Sequence, residues 1–81
     1  MTTQELEQLK RYEEDMNWIT AHYEELKLRY PEEFVAVYRY SVVDHDREMR
    51  DLMTRLRKKF GEKANFLATE FITAKKDELI L

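Results

Sequence analysis

Asp44-His45-Asp46 is the cluster in this chain whose residue types could do chemistry. Two carboxylates and an imidazole are donors of the kind that hold a divalent metal ion, and a metal held there would serve hydrolysis. The tripeptide stands between a β-rich run and a helical pattern, a junction where sites are commonly built. The plainer reading of the same residues is helix capping, because Asp at a helix start satisfies free backbone amides and suits the positive end of the helix dipole. Capping is the expectation, and a small metal-dependent hydrolase using Asp44, His45 and Asp46 is the alternative. The other histidine, His22, lies on the first helix, and spacing alone does not say whether it approaches. Ser41 is the single serine and has no positioned base near it, so a serine nucleophile is not expected. With no cysteine, disulfides, thiolate catalysis and Cys-based zinc sites are excluded. With one glycine there is no glycine-rich phosphate cradle. No catalytic residue is assigned, and no cofactor is expected.

Three other groups have a bland and a sharper use. Arg55, Arg57, Lys58, Lys59 and Lys63 could touch phosphates, but at the end of a helix such a run more often stabilises the dipole and stays solvated. Phe34, Tyr38 and Tyr40 could make a stacking platform for bases, although strand aromatics more often pack a core or an oligomer face. Trp18 lies off the main apolar seam of its helix, which suits either a second packing surface or an anchor for a partner.

The elements that must position these residues are readable from period. Leu9, Tyr12, Met16, Ile19, Tyr23, Leu26 and Tyr30 recur at alternating steps of three and four, a heptad stripe. Thr2 or Thr3 caps the start, and Pro31 stops the helix at Tyr30. Asn17 is a weak helix former, which leaves open a break into two helices. Running unbroken from Thr3 to Arg29, the helix would be about 40 Å long, whereas a five-residue strand covers only about 17 Å. The stripe therefore continues through Leu6, Leu9 and Tyr12 beyond what a small sheet can bury. Phe34 to Tyr38 and Ser41 to Asp44 read as a hairpin. Phe34, Ala36 and Tyr38 share one face, and Val35, Val37 and Arg39 share the other. Both faces are apolar near the strand centre, so both need covering. Met49, Leu52, Met53, Leu56 and Phe60 make one clean helix face, with Gly61 as its left-handed stop. Asn65 to Ile72 reads as a third strand, and Leu79-Ile80-Leu81 as an apolar tail that adds an edge strand or lies across a partner.

The expected fold class is α+β, a single small domain of order α-β-β-α-β, with helices packed on one face of a three- or four-stranded mixed sheet. Residues 1–81 form one domain: 1–15 a protruding N-terminal helical extension, 16–72 the core, 73–81 a C-terminal tail or edge strand. The preferred strand order is 2-1-3 with the third strand antiparallel to the first; order 1-2-3 is the alternative.

At 81 residues the chain has a thin core. Charged residues are 38% and hydrophobic ones 43%, the balance of a solvated globule rather than a disordered tail. The N-terminus lacks the basic and apolar regions of a signal peptide, no apolar run reaches the roughly 20 residues of a membrane span, and Lys76-Asp77-Glu78-Leu79 is followed by Ile80-Leu81, so it is not read as a retention signal. The expected location is the cytoplasm, with no membrane partner. Residues 1–33 hold 4 basic and 9 acidic groups, and residues 34–81 hold 10 basic and 8 acidic. An acidic chain of this kind is not expected to bind nucleic acid.

Trp18, Tyr23, Leu26 and Tyr30-Pro31, then Glu33-Phe34-Val35-Ala36-Val37, then Val42-Val43-Asp44-His45, resemble the DUF5678 group of small uncharacterised domains. The resemblance covers roughly residues 16–81. It implies a Trp-containing helix, a hairpin, a helix and a last strand, and it implies no catalytic residue. The group's turn usually carries Asn-Gly or Asp-Gly where this chain has Arg39-Tyr40. Neither residue favours positive φ, so a longer or bulged turn is expected. The group's glycine after the histidine is Asp46 here.

Surplus apolar surface leads to the functional expectation: a non-enzymatic interaction module that self-associates as a dimer, with or without a further protein partner. The interface residues would be Leu6, Leu9, Tyr12, Met16, Trp18, Val35 and Val37. The alternatives are the metal-dependent hydrolase and a nucleic-acid or regulatory-partner binder using the basic end of the second main helix.

Overall fold

The computed structural model describes residues 2–74. Helix α1 spans Thr3–Ala21, with the Thr2 hydroxyl accepting the Glu5 amide at 3.1 Å as its cap. Helix α2 spans Tyr23–Arg29. The break falls at His22, not at Asn17. There the backbone leaves helical geometry, and the imidazole Nδ1 donates to the Trp18 carbonyl at 2.9 Å while its ring stacks on Trp18 at 4.3 Å. Strands β1 (Glu33–Val37) and β2 (Val42–Asp46) form the hairpin. Helix α3 spans Met49–Phe60 and ends at Gly61, whose φ of 63° favours glycine. A 3-10 helix over Gly61–Phe66 follows, then strand β3, Ala68–Ile72.

The strand order is β2-β1-β3, and both pairings are antiparallel. The α+β class and the element order match the sequence reading, as does the preferred strand order. Two parts of the expected architecture are corrected: the sheet is antiparallel rather than mixed, and the helices do not share one face. Val35 and Val37 pack with Ile19, Leu26, Ala68 and Ile72 under α1 and α2. Ala36 packs with Leu52, Leu56, Ala64 and Leu67 under α3 and the 3-10 helix. The cause is the central strand. β1 is apolar on both sides, so each side needs its own layer. The chain provides one layer before β1, and the other as it crosses from β2 to β3.

β3 begins three residues later than the apolar run suggested. The 3-10 turn takes Ala64 into the α3-side core at 2% exposure and leaves Phe66 outside at 51%. The Leu79–Leu81 tail lies outside the described residues. Among those described, no helix is long and apolar enough to cross a membrane.

With 19 residues, α1 is about 28 Å long, against about 17 Å for β1. Its last turns cover the sheet, and its first turns run past it beside the 3-10 helix. The overhang contributes to a long axis of 41 Å against 24 and 19 Å.

Two separate cores imply two separate sensitivities. Ile19→Ala and Leu56→Ala, one in each layer, are each expected to cost about 2–4 kcal/mol in urea unfolding. A loss from only one of them would show that one layer is dispensable.

Candidate functional site

The Asp44-His45-Asp46 cluster does not form one site. In a strand, neighbouring side chains point to opposite faces. Asp44 and Asp46 point to the α3 side, where Arg55 takes both. Its Nε and Nη2 donate to the Asp44 carboxylate at 3.0 and 3.2 Å, Nη1 donates to Asp46 at 2.9 Å, and Nη2 also reaches the His45 carbonyl at 2.9 Å. His45 points to the other side, where Nδ1 donates to Glu33 at 2.8 Å and the ring lies 4.6 Å from Tyr30. Among the described residues no group of three His, Cys, Asp or Glu side chains could hold a metal ion.

The capping expectation is also corrected. The α3 N-cap is Glu48, without a side-chain cap bond. Asp46 accepts the Glu48 amide at 2.8 Å, shaping the turn before the helix. Arg55 holds the Asp44 carboxyl below the usual carboxylate range, and the Glu48 amide, followed by Arg55, does the same for Asp46. The two acids in turn raise Arg55 further.

The remaining candidates are dispersed. Arg55 belongs to this clamp and Lys63 leans on Tyr38, while Arg57, Lys58 and Lys59 stay exposed at the end of α3. Phe34 meets Phe71 at 4.9 Å, Tyr38 meets Phe60 at 5.7 Å, and Tyr40 sits at the hairpin tip, so the three aromatics make no continuous platform. Met16 and Trp18 pack against the α1-side core of their own chain. Val35 and Val37 are fully buried within the subunit, which removes them from any interface. Leu6, Leu9 and Tyr12 remain 40–49% exposed.

Sequence reasoning overlooked Asp15. Its side chain is 1% exposed, on the sheet-facing side of α1. Arg11, one turn earlier, grips it with Nε at 3.1 Å and Nη2 at 2.9 Å. The opposite lobes of the carboxylate accept the backbone amides of Arg39 at 3.1 Å and Tyr40 at 3.0 Å. Those residues have φ of 53° and 62°. The connection is therefore a tight reversal with positive φ at both central residues, closed by the Tyr38 amide on the Ser41 carbonyl at 2.9 Å. The expected longer turn is corrected; the irregularity is displaced into β2, where Val43 is the extra residue of a bulge between the Ala36–Asp44 and Val37–Val42 pairs. Tyr40 completes the cluster: its ring lies 4.3 Å beneath the Arg11 guanidinium, and its hydroxyl donates to Glu14 at 2.9 Å. Two features of the sequence bear on the pair and the turn separately, and neither says that they meet. Arg11 and Asp15 are one turn apart, and a short hairpin without glycine needs support from elsewhere.

Beside this cluster, α1, the hairpin tip and the 3-10 helix enclose a cleft of about 530 Å³ containing Tyr38, Arg39 and Lys63. Lys63 donates to the Tyr38 hydroxyl at 3.3 Å and draws that phenol below its ordinary pKa.

The family of unknown function DUF5678 matches residues 25–69, more than half of the chain. The chain belongs to the DUF5678 family. The matched stretch runs from α2 through the hairpin and α3 to the start of β3, so Trp18 and Tyr23 of the expected resemblance fall before it. No curated protein and no solved structure matches the chain. In this DUF5678 chain Asp15, Arg11 and the overhanging part of α1 precede the matched stretch.

Asp15→Ala is expected to cost about 2–4 kcal/mol, because it strands two turn amides and the Arg11 charge. Adding Arg39→Asn with Tyr40→Gly should return about 1 kcal/mol, since that pair adopts positive φ unaided. Urea unfolding of the single and triple variants checks both. The Arg55 clamp has a pH signature. Asp44 and Asp46 are lowered in the folded state, so their contribution is present above the unfolded carboxylate pKa of about 4 and is lost as pH falls through the lowered values. The melting temperature is expected to drop below about pH 4, and Arg55→Met should flatten that drop.

Proposed function

We propose that this DUF5678 chain is a non-enzymatic interaction module that self-associates as a dimer through the overhanging N-terminal half of α1. The observation that carries the reading is a contiguous apolar patch on a helix segment that its own sheet does not reach. Leu6, Leu9, Tyr12 and Phe66 are 49, 46, 40 and 51% exposed. Leu9, Tyr12 and Phe66 line a groove of about 630 Å³ between α1 and the 3-10 helix. Solvent-exposed apolar groups gathered in one place mark interaction surfaces, whereas scattered ones do not.

A second copy suits this surface. Laid antiparallel with Leu6 against Leu9 of the other copy, the two segments place each Glu5 beside the Lys10 of its neighbour. A twofold axis repeats both contacts. Antiparallel placement also joins opposite helix dipoles. Four side chains per copy make a patch smaller than the roughly 800 Å² per partner of a standard interface, so the association is weak and set by concentration. The absence of cysteine agrees with action in the cytoplasm, where thiols stay reduced. The hydrolase alternative loses its support, because Asp44 and Asp46 are engaged by Arg55 while His45 faces the opposite way.

Sedimentation equilibrium is expected to show a monomer–dimer equilibrium between about 10 μM and 1 mM. Leu9→Glu should abolish it without lowering the melting temperature of dilute protein. A wild-type chain that stays monomeric across that range would refute the proposal.

A further inference from the structure

The cleft at the hairpin tip holds positive charges that no carboxylate answers. Gln4, Glu7, Arg11 and Glu14 of α1 face it, whereas Glu5, Leu9 and Tyr12 face the apolar groove; Gln8 and Phe66 line both, so the two surfaces adjoin along neighbouring flanks of the helix. Tyr38 lies between two cations. Lys63 Nζ is 3.3 Å from its hydroxyl oxygen and 5.3 Å from its ring centre, and the Arg39 guanidinium carbon is 5.3 Å from the same ring. Among the described residues neither Arg39 nor Lys63 pairs with a carboxylate. Arg11 differs, since Asp15 and Glu14 both engage it. Glu7 and Lys10 at the rim offset one another in charge.

The backbone supplies a second, independent observation. Arg39 and Tyr40 are held in the left-handed region with side chains that disfavour it. A hairpin that only had to reverse direction would be better served by Asn-Gly. Strain of this kind persists where the surroundings enforce it, and it marks places where a side chain is being positioned. The enforcing group is Asp15, and one result is an arginine set against Tyr38 in the cleft.

We propose that this cleft binds the phosphate group of a small organic phosphate monoester, with Arg39 and Lys63 neutralising the phosphate and the Tyr38 hydroxyl donating to one of its oxygens. Two cations match the roughly −2 charge of a monoester near neutral pH, whereas a carboxylate would leave one of them unanswered. The Tyr38 hydroxyl accepts from Lys63, which leaves its own proton for the ligand. The Gln4 and Gln8 amides supply further donors, and Phe66 an apolar wall for the organic part. The volume of about 530 Å³ is that of a small-molecule site. The phosphate-binding groups Tyr38, Arg39 and Lys63 lie outside the proposed dimer contact, which shares only Lys10 and the Gln8–Phe66 margin with the cleft, so each can fail without the other.

The test is a titration of the full chain, followed through backbone amide NMR shifts, with inorganic phosphate, phenyl phosphate and acetate at matched ionic strength. Phenyl phosphate is expected to shift the Tyr38, Arg39 and Lys63 amides saturably with a Kd of about 1 mM or below. Inorganic phosphate should bind more weakly at the same residues, and acetate should not saturate. Arg39→Gln and Lys63→Gln, both at exposed positions, should each weaken phenyl phosphate by about tenfold at unchanged melting temperature. Three results would each overturn the proposal: no saturable shift with either phosphate, acetate binding as tightly as phosphate, or affinity unchanged in both variants.

Discussion

The Asp15 carboxylate joins three parts of the chain that are distant in sequence: the middle of α1, the hairpin tip and the Arg11 guanidinium. A buried carboxylate is costly unless its oxygens are fully used, and here two side-chain donors and two backbone donors use them. The arrangement constrains both sides. The helix can dock on the sheet in only one rotation and at one height, because Asp15 must meet the Arg39 and Tyr40 amides. The hairpin can keep positive φ at two ordinary residues because those amides have a fixed acceptor. The cleft around Tyr38 and the exposed apolar patch both follow, since each is bounded by the part of α1 that this contact positions.

Arg55 plays a corresponding part on the opposite face. By engaging Asp44 and Asp46 together, it ties the exit of β2 to the second turn of α3. Residues whose types suggested chemistry thus orient the chain where a core of this size has little packing to do so. His45 lies on the other side of the same strand, paired with Glu33 and set against Tyr30. The tripeptide is divided by the alternation of the strand itself, which separates adjacent residues however chemically matched they are. At the outer edge of β3, the Tyr23 hydroxyl accepts the Thr73 amide at 2.9 Å and reaches the Phe71 carbonyl at 3.3 Å, so α2 covers the end of an otherwise open edge.

Periodic features were legible without coordinates because they report one element against one surface. The heptad stripe of α1 and α2, the apolar face of α3, the stop at Gly61 and the order of the strands all reappear. The features that were misread depend on two elements at once. Val35 and Val37 looked like surplus surface because β1 is apolar on both sides, yet α1 and α2 cover one side while α3 covers the other. Arg39-Tyr40 looked incapable of a tight turn because the supporting carboxylate lies more than twenty residues away. His22 broke the first helix where propensity pointed to Asn17, since the ring of His22 can both stack on Trp18 and donate to its carbonyl.

What the sequence by itself determined is the set of elements, their class and the excess length of the first helix, for these follow from local period, helix stops and the fixed rise per residue. Only the tertiary structure decided which apolar residues stay in contact with water, which charges are spent within the chain and which are left over. Those outcomes turn on meetings between distant segments. Asp15 with the hairpin tip, Arg55 with two acids of β2, and Lys63 with Tyr38 are set by the docking of layers, for which spacing along the chain carries no signal.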